Sequence, residues 1–424
     1  MASVFIKSFG CSLNMADGEA MAGVLAQDGH LITDDESSAE VIVINSCIVK
    51  GHSQAQLFTY LDKVESLGKK VVIAGCGAQA FPERLSKYPI VGTRQVAKVK
   101  EAVRAALDGK APHALEREKT RRLSLPKRRK NSVIDIVPIN NGCMGSCSFC
   151  IVKRTRGNLE SYDPQDIIAT IEQAVKDGVR EVWLTSPDTA CYGVDIKQDL
   201  PSLLKRVCDI KGDFKIRLGM GNPDWFIKYL NVLPKIFESD RMFRFLHVPV
   251  QSGSEPILKS MRRNYKPEDY VKLVDALRSF DPLFTISTDV IVGFPGETEE
   301  DFNKTIDILN RTSPDVLNLS RFTPRPGTPA ESLPGQLKGD VKKDRSRIID
   351  ELHERISHER NRLYIGWTGR IIIDEHGKHG TMIGRNLYYK PVVVDGFYPL
   401  GSVLEVEITE AHERFLKGKV LQSV

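Results

Sequence analysis

The chain has 424 residues, enough for two to four domains. Apolar residues make up 41% and charged residues 27%, which excludes a largely disordered chain. Lys and Arg total 60 against 55 Asp and Glu, and a net charge of +5 is too small to mark a polyanion binder by itself. No apolar run approaches the ~18 residues of a membrane-spanning helix, so no membrane partner is expected. The start, MASVFIKSFGCSLNMADGEA, lacks a cationic stretch before a long apolar core and is not a secretory leader. The expected compartment is the cytoplasm, where thiols stay reduced.

The residues SVFIKSFG before Cys11, EVIVINS before Cys47 and KVVIAG before Cys76 read as buried strands. Each is a short run rich in Val and Ile, closed by Gly or a polar residue. Helical patterns at Met15 to Gln27 and Gln54 to Ser66 fall between them. That alternation predicts an open parallel α/β sheet with crossover helices over residues 1–112. Open parallel sheets carry their sites beyond the carboxyl ends of the strands. All three cysteines stand at such ends. One buried cysteine is ordinary core filling, but three in equivalent places point to a shared metal site.

Residues 113–131 form a basic linker, in which REKTRRLSLPKRRK (Arg117 to Lys130) has 8 Lys or Arg in 14 residues. A run of this kind is ordinarily a solvated linker, and it can also touch phosphates. Strand–helix alternation resumes over residues 132–360. Expected strands are Val133–Ile139, Glu181–Ser186, Phe214–Gly219, Phe243–Val250, Phe284–Gly293 and Val316–Phe322. Intervening helices are expected at Pro164–Asp177, Asp224–Glu238, Lys266–Ser279 and Thr298–Asn310. Six β/α units fit a partial barrel with its chemistry at the carboxyl ends of the strands.

Cys143, Cys147 and Cys150 follow the first barrel strand as C-x3-C-x2-C. Three thiolates suit an iron–sulfur cube that leaves one iron free for a substrate. A closed zinc centre, the alternative, would want a fourth ligand. Cys191 and Cys208 have no partners at ligand spacing, and Cys208 reads as core. After a charged helix near Asp340 to Arg362, residues 361–424 read as short alternating strands with glycine turns, a small β-barrel of the oligonucleotide-binding kind.

In this order, these features resemble the radical S-adenosylmethionine methylthiotransferases over essentially the whole chain. The resemblance rests on Cys11 in FGCSLN, Cys47 in NSCIVK, Cys76 in AGCGAQ, HVPVQSGS from His247, MRRNY from Met261, DVIVGFPGET from Asp289 and FTPRPGTPA from Phe322. The last domain resembles a TRAM domain. Family members that modify isopentenyl-adenosine typically follow the cysteine cluster with a VVP proline and a later RG…SR. Here Lys153 and Tyr162 replace that proline and that arginine. LTSPDT from Leu184 and RLGMGNP from Arg217 look like the archaeal/eukaryotic branch, which acts on N6-threonylcarbamoyladenosine at tRNA position 37. Eukaryotic members often carry a C-terminal membrane anchor, so a chain ending at Val424 looks like the archaeal form.

The resemblance implies two [4Fe–4S] clusters with S-adenosylmethionine as cofactor. The cluster on Cys143, Cys147 and Cys150 cleaves S-adenosylmethionine to a 5′-deoxyadenosyl radical, and the one on Cys11, Cys47 and Cys76 holds or delivers sulfur. Strand-end groups expected to hold the cofactor are Ser186, Asp188, Asn222 and Gln251, with Asp289. Gly293 and Pro295 are expected to let backbone approach the adenine. The expected partner is a tRNA anticodon stem-loop, with Arg156, Arg128, Arg129 and Arg385 as contacts. Sulfur-donor and electron-donor proteins are also implied, without being identified. Competing readings are methylthiolation of isopentenyladenosine tRNA or of a ribosomal-protein aspartate, and a non-catalytic iron–sulfur RNA-binding protein. The last has no use for an open iron.

Overall fold

In a computed structural model of the chain, residues 1–48, 51–118 and 122–423 are described. Residues 49–50, at the end of NSCIVK, and 119–121, within the expected basic linker, lie outside them.

The first unit is a six-stranded, wholly parallel sheet. Ser3–Ser8 sits between Leu31–Ile32 and Val41–Ser46, and Lys70–Ala74, Ile90–Val91 and His113–Ala114 extend the far side. Alternate residues of Val41–Ser46 serve opposite faces. Val41 and Val43 pack on Ala20, Met21 and Val24 of the helix Ser12–Gln27, whereas Ile42 and Ile44 pack on Leu57 and Leu61 of the helix Gly51–Ser66. The chain therefore departs to opposite faces after two neighbouring strands, which opens a crevice at their carboxyl ends. The three two-residue strands, two of them at the edges, were not foreseen, because pairings so short leave no periodicity to read.

The middle unit is a six-stranded partial barrel. Ile134–Pro138, Glu181–Thr185 and Lys215–Leu218 pair in parallel, as do Phe245–His247, Thr285–Val292 and Val316–Arg321. The halves join where Ile216 N–H donates to Arg241 O (2.6 Å) and Phe243 N–H to Ile216 O (3.0 Å). The helix Pro164–Lys176 starts with Pro164 after Asp163, whose carboxylate accepts from Gln165 N–H (2.7 Å). Glu299–Thr312 starts with a reciprocal Thr298–Asp301 box. Such caps each stabilise a helix by about 1 kcal/mol. The helix expected over Asp224–Glu238 is broken into Pro223–Phe226, a tight turn at Ile227–Tyr229, and Leu233–Phe237. Pro234 has no N–H and cannot continue a helix from the preceding turn.

The last unit is a closed five-stranded barrel in the order Thr368–His376, Thr381–Arg385, Pro391–Asp395, Leu416–Ser423, Val403–Ala411. It docks on the amino ends of the central strands. Arg244 N–H donates to Leu387 O (2.8 Å), and the Tyr364 hydroxyl donates to Leu283 O (2.8 Å). Tyr389, at φ +60°, sets its ring against Phe243, Phe245 and Trp183, with centroids 4.9, 5.2 and 6.3 Å away. The Arg217 and Arg385 guanidiniums lie 5.1 and 5.0 Å from that ring. Asp315 anchors the same interface, with Lys390, Arg360 and Arg278 at 3.0, 3.0 and 3.2 Å. Burial alone would raise the Asp315 carboxyl, but the three cations outweigh it and hold it at about 2.

Candidate active site

Cys11 precedes the helix Ser12–Gln27, Cys47 follows the strand Val41–Ser46, and Cys76 lies in the first turn of Gly75–Ala80. Their turns are pressed together. Gly10 has φ +102°, and a Cβ there would stand 2.2 Å from the Cβ of Cys47 and 2.6 Å from its Sγ. Asn14 Nδ2 donates to Phe9 O (2.7 Å) and Asn45 O (3.1 Å), while Asn45 Nδ2 donates to Asn14 O (2.6 Å). Gly75 has φ +83°, and a Cβ there would lie 2.6 Å from Asn45 Oδ1 and 3.1 Å from Asn14 Oδ1. Two amide side chains thus brace all three cysteine-bearing turns.

Cys143, Cys147 and Cys150 lie on a loop at the carboxyl end of the first barrel strand. Gly145 N–H donates to Cys143 Sγ (3.2 Å), and a Cβ at Gly145 would lie 3.4 and 3.6 Å from the sulfurs of Cys143 and Cys147. The loop is held from outside: Ser148 N–H donates to Met261 O (3.0 Å), its hydroxyl to Ser260 O (2.8 Å), and Phe149 meets Phe294 edge-on at 6.5 Å. Arg263 donates to Cys147 Sγ (3.4 Å) and to Pro249 O (3.3 Å). Burial pushes Cys143 up to about 12, helped by Asp188 and then by the other two thiols. Burial and Cys147 push Cys150 up to about 12 as well.

The two trios meet. Cys76 packs with Ile48 and with Ile151, the residue after Cys150. The next segment, Val152–Arg156, ends in a buried arginine whose Nη2 pairs with Asp17 at 2.8 Å. Asp17 pairs with Arg122 as well. Each trio supplies three thiols, where a structural zinc centre takes four ligands. Two thiol trios with guanidiniums set against them fit iron–sulfur cubes.

The cofactor-binding candidates divide. Asp188 accepts from Asn222 N–H (3.0 Å), Asn222 Nδ2 (2.5 Å) and Ala190 N–H (3.2 Å), and Asp188 N–H donates to Ser186 Oγ (3.1 Å). Ser186, Asp188 and Asn222 therefore clasp two neighbouring strand ends. Gln251 has φ +64° and is buried with Oε1 unbonded, an arrangement that backbone strain and desolvation both oppose unless a ligand supplies the donor. Asp289 Oδ1 bonds His247 Nε2 (2.9 Å) and accepts from Asn318 Nδ2 (2.8 Å). Gly293 is not open to an adenine on its Cβ side, because a Cβ there would stand 2.3 Å from Lys342 Cγ. Pro295 is buried in the same turn, which Gly335 O ties down through Gly296 N–H (2.9 Å). Through Phe294 the turn also supports the cysteine loop.

The RNA candidates divide too. Arg128 is exposed. Arg129 is engaged by Asp135 and Asp177, each at 3.0 Å. Arg385 pairs with Asp374 (3.0 Å) in the interface between the two barrels, so its guanidinium faces the protein. Arg156 faces the N-terminal trio. Asn14, Asn45, Asp17 and Arg263 were missed in the sequence, where polar residues near a cysteine carry no spacing rule.

The chain matches three family models: the Radical SAM superfamily over residues 137–309, the Uncharacterized protein family UPF0004 over 3–93, and the TRAM domain over 362–421. It is 36% identical to a probable threonylcarbamoyladenosine tRNA methylthiotransferase of Pyrococcus horikoshii, covering 99% of this chain and 100% of that one. The chain belongs to this methylthiotransferase family. The threonylcarbamoyladenosine tRNA methylthiotransferase of Danio rerio is 38% identical, covering 100% of this chain and 79% of that one. A solved radical S-adenosylmethionine methyltransferase from Kitasatospora setae, TsrM, superposes with a TM-score of 0.56 at 16% identity, covering 78% of this chain and 75% of that chain, which shows a shared fold. This enzyme is a radical SAM tRNA methylthiotransferase that uses S-adenosylmethionine and iron–sulfur chemistry. No helix among the described residues is long and apolar enough to cross a membrane.

Proposed function

We propose that the enzyme converts N6-threonylcarbamoyladenosine at tRNA position 37 to its 2-methylthio form, with one [4Fe–4S] cluster on each thiol trio. The observation that carries this reading is the packing of Cys76 on Ile151, beside Cys150, which brings both trios to one wall of the molecule. The names of the full-length relatives support the substrate.

Carbon 2 of an adenine carries an unactivated hydrogen that no acid or base on this chain can remove, so the hard step belongs to the cofactor. When bound, the cluster on Cys143, Cys147 and Cys150 supplies the electron that splits S-adenosylmethionine. The protein's part is to bind and orient. Gln251 Oε1 offers an acceptor to the cofactor, and Asp289 is fixed for the same task by His247 and Asn318. The Asp188–Asn222 clasp holds the strand ends at which the cofactor sits. Asn14 and Asn45 keep Cys11, Cys47 and Cys76 in one group, ready to hold sulfur within reach of the nucleobase.

Mass spectrometry of nucleosides from tRNA of cells with and without the gene tests the reading. The 2-methylthio derivative of threonylcarbamoyladenosine should be lost with the gene and restored by its return. Loss of a methylthio isopentenyladenosine, or of a methylthio-aspartate on a ribosomal protein, would replace this substrate with another.

A further inference from the structure

We infer that Arg156 is the positioning cation of the N-terminal trio, supplied across the domain boundary by the segment that leaves the radical trio. This rests on reading Cys11, Cys47 and Cys76 as cluster ligands. Arg156 is 2% exposed. Its Nη2 donates to Asp17 (2.8 Å) and to Asn14 Oδ1 (3.4 Å), and Nη1 donates to Asn141 Oδ1 (3.5 Å). The guanidinium is near enough to Cys76, Cys11 and Cys47 for their thiols to favour its charged form against the opposing effect of burial.

Charge counting makes the case. Arg156 and Arg122 are both buried, and Asp17 is the carboxylate that both pair with. Two cations against one anion leave a net positive charge out of water, which folding opposes unless an anion balances it. An oxidised [4Fe–4S] core on three thiolates carries one net negative charge. The arginine pair and the cluster therefore complete each other. Asn14 belongs to both arrangements: it braces the three cysteine turns and accepts from Arg156. Through it, the cation fixes where the trio sits relative to Val152–Arg156, and so relative to Cys150.

The test uses the full chain with Cys143, Cys147 and Cys150 replaced by Ala, so that only the N-terminal trio can hold iron. After anaerobic reconstitution, iron content and the midpoint potential are read by redox titration with electron paramagnetic resonance. Arg156→Gln should make the midpoint more negative, because a reduced cluster loses its balancing cation. Asp17→Asn should make it more positive, and Arg156→Lys should stay close to the parent. A packing role alone would not give opposite signs. If Arg156→Gln keeps its iron and its midpoint does not move, the inference is overturned while the cluster reading stands. If Arg156→Gln loses its iron, an unmoved midpoint in Asp17→Asn overturns the inference and a positive shift supports it. If the triple-alanine chain itself takes up no iron, the cluster reading and the inference fall together.

Discussion

Cys76 packs against Ile151, the residue that follows Cys150, so two thiol trios borne by different domains share one wall. Their neighbourhood constrains what each can do alone, and it separates the consequences of losing either.

Cys143→Ala should abolish formation of 5′-deoxyadenosine from S-adenosylmethionine by the reduced, reconstituted enzyme. Cys47→Ala should leave that cleavage in place and abolish methylthio insertion into tRNA. Liquid chromatography of both products reads the split. Methylthiolation by Cys47→Ala would remove the N-terminal trio from sulfur handling.

Gly10→Ala strains the backbone and collides with Cys47. Left-handed geometry costs an L-residue about 1–2 kcal/mol, and overpacking costs typically about 1–3 kcal/mol more. We expect a destabilisation of about 2–5 kcal/mol in denaturant titrations, together with loss of the N-terminal trio's iron. Gly29→Ala is the control: its φ is also positive, +86°, but nothing lies within 4 Å of the added Cβ. It should show the backbone cost alone and keep its iron. Equal iron loss in the two variants would contradict the contact argument.

Burial, reinforced by Asp374, pushes the Glu181 carboxyl above its usual range to about 8. The folded state therefore holds a proton that the unfolded chain has released above about pH 4.5. Folding is favoured by this group at acid pH, and that benefit is lost as pH rises through about 8. Glu181→Gln should remove the slope and gain relative stability toward pH 8. Paired unfolding curves between pH 5 and 9 measure the difference, and parallel curves would refute it.

Tyr389→Ala removes a ring that touches three aromatic partners and two guanidiniums. Deleting a buried aromatic costs roughly 3–5 kcal/mol. Tyr389 is half-buried, so about 3 kcal/mol or less is expected. Hydrogen exchange should quicken at Arg244 N–H, whose acceptor is Leu387 O in the same turn. Unchanged exchange there would mean that the turn docks without the ring.

The two α/β units were legible because most strands are short apolar runs and the cysteines of both trios follow the carboxyl ends of strands. The closed last barrel was legible from alternation and glycine turns. What decides the site was not. Arg156 meets Asp17 and Asn14 only through the tertiary fold, and neither charge nor spacing announces a partner that far along the chain. The basic stretch looked like a solvated arm, but Lys127 bonds Ile136 O (2.7 Å) and Arg129 bonds Asp135 (3.0 Å). A run of like charge conceals such contacts, because Arg122, Lys127 and Arg129 are answered by acids from other segments. That the charged helix Gly339–Arg362 sets Lys342 against the first glycine of GFPGE was not legible either, because the two lie in separate segments of the chain.

Docking of the small barrel on the amino ends of the strands covers the base of the central barrel, and Tyr389 is packed into that cover. The rim where the cysteines stand is left as an approach for what the site consumes or discards. A macromolecular substrate seated on that rim would cover this approach, so spent cofactor leaving by it would have to depart before the substrate settles or wait until it lifts.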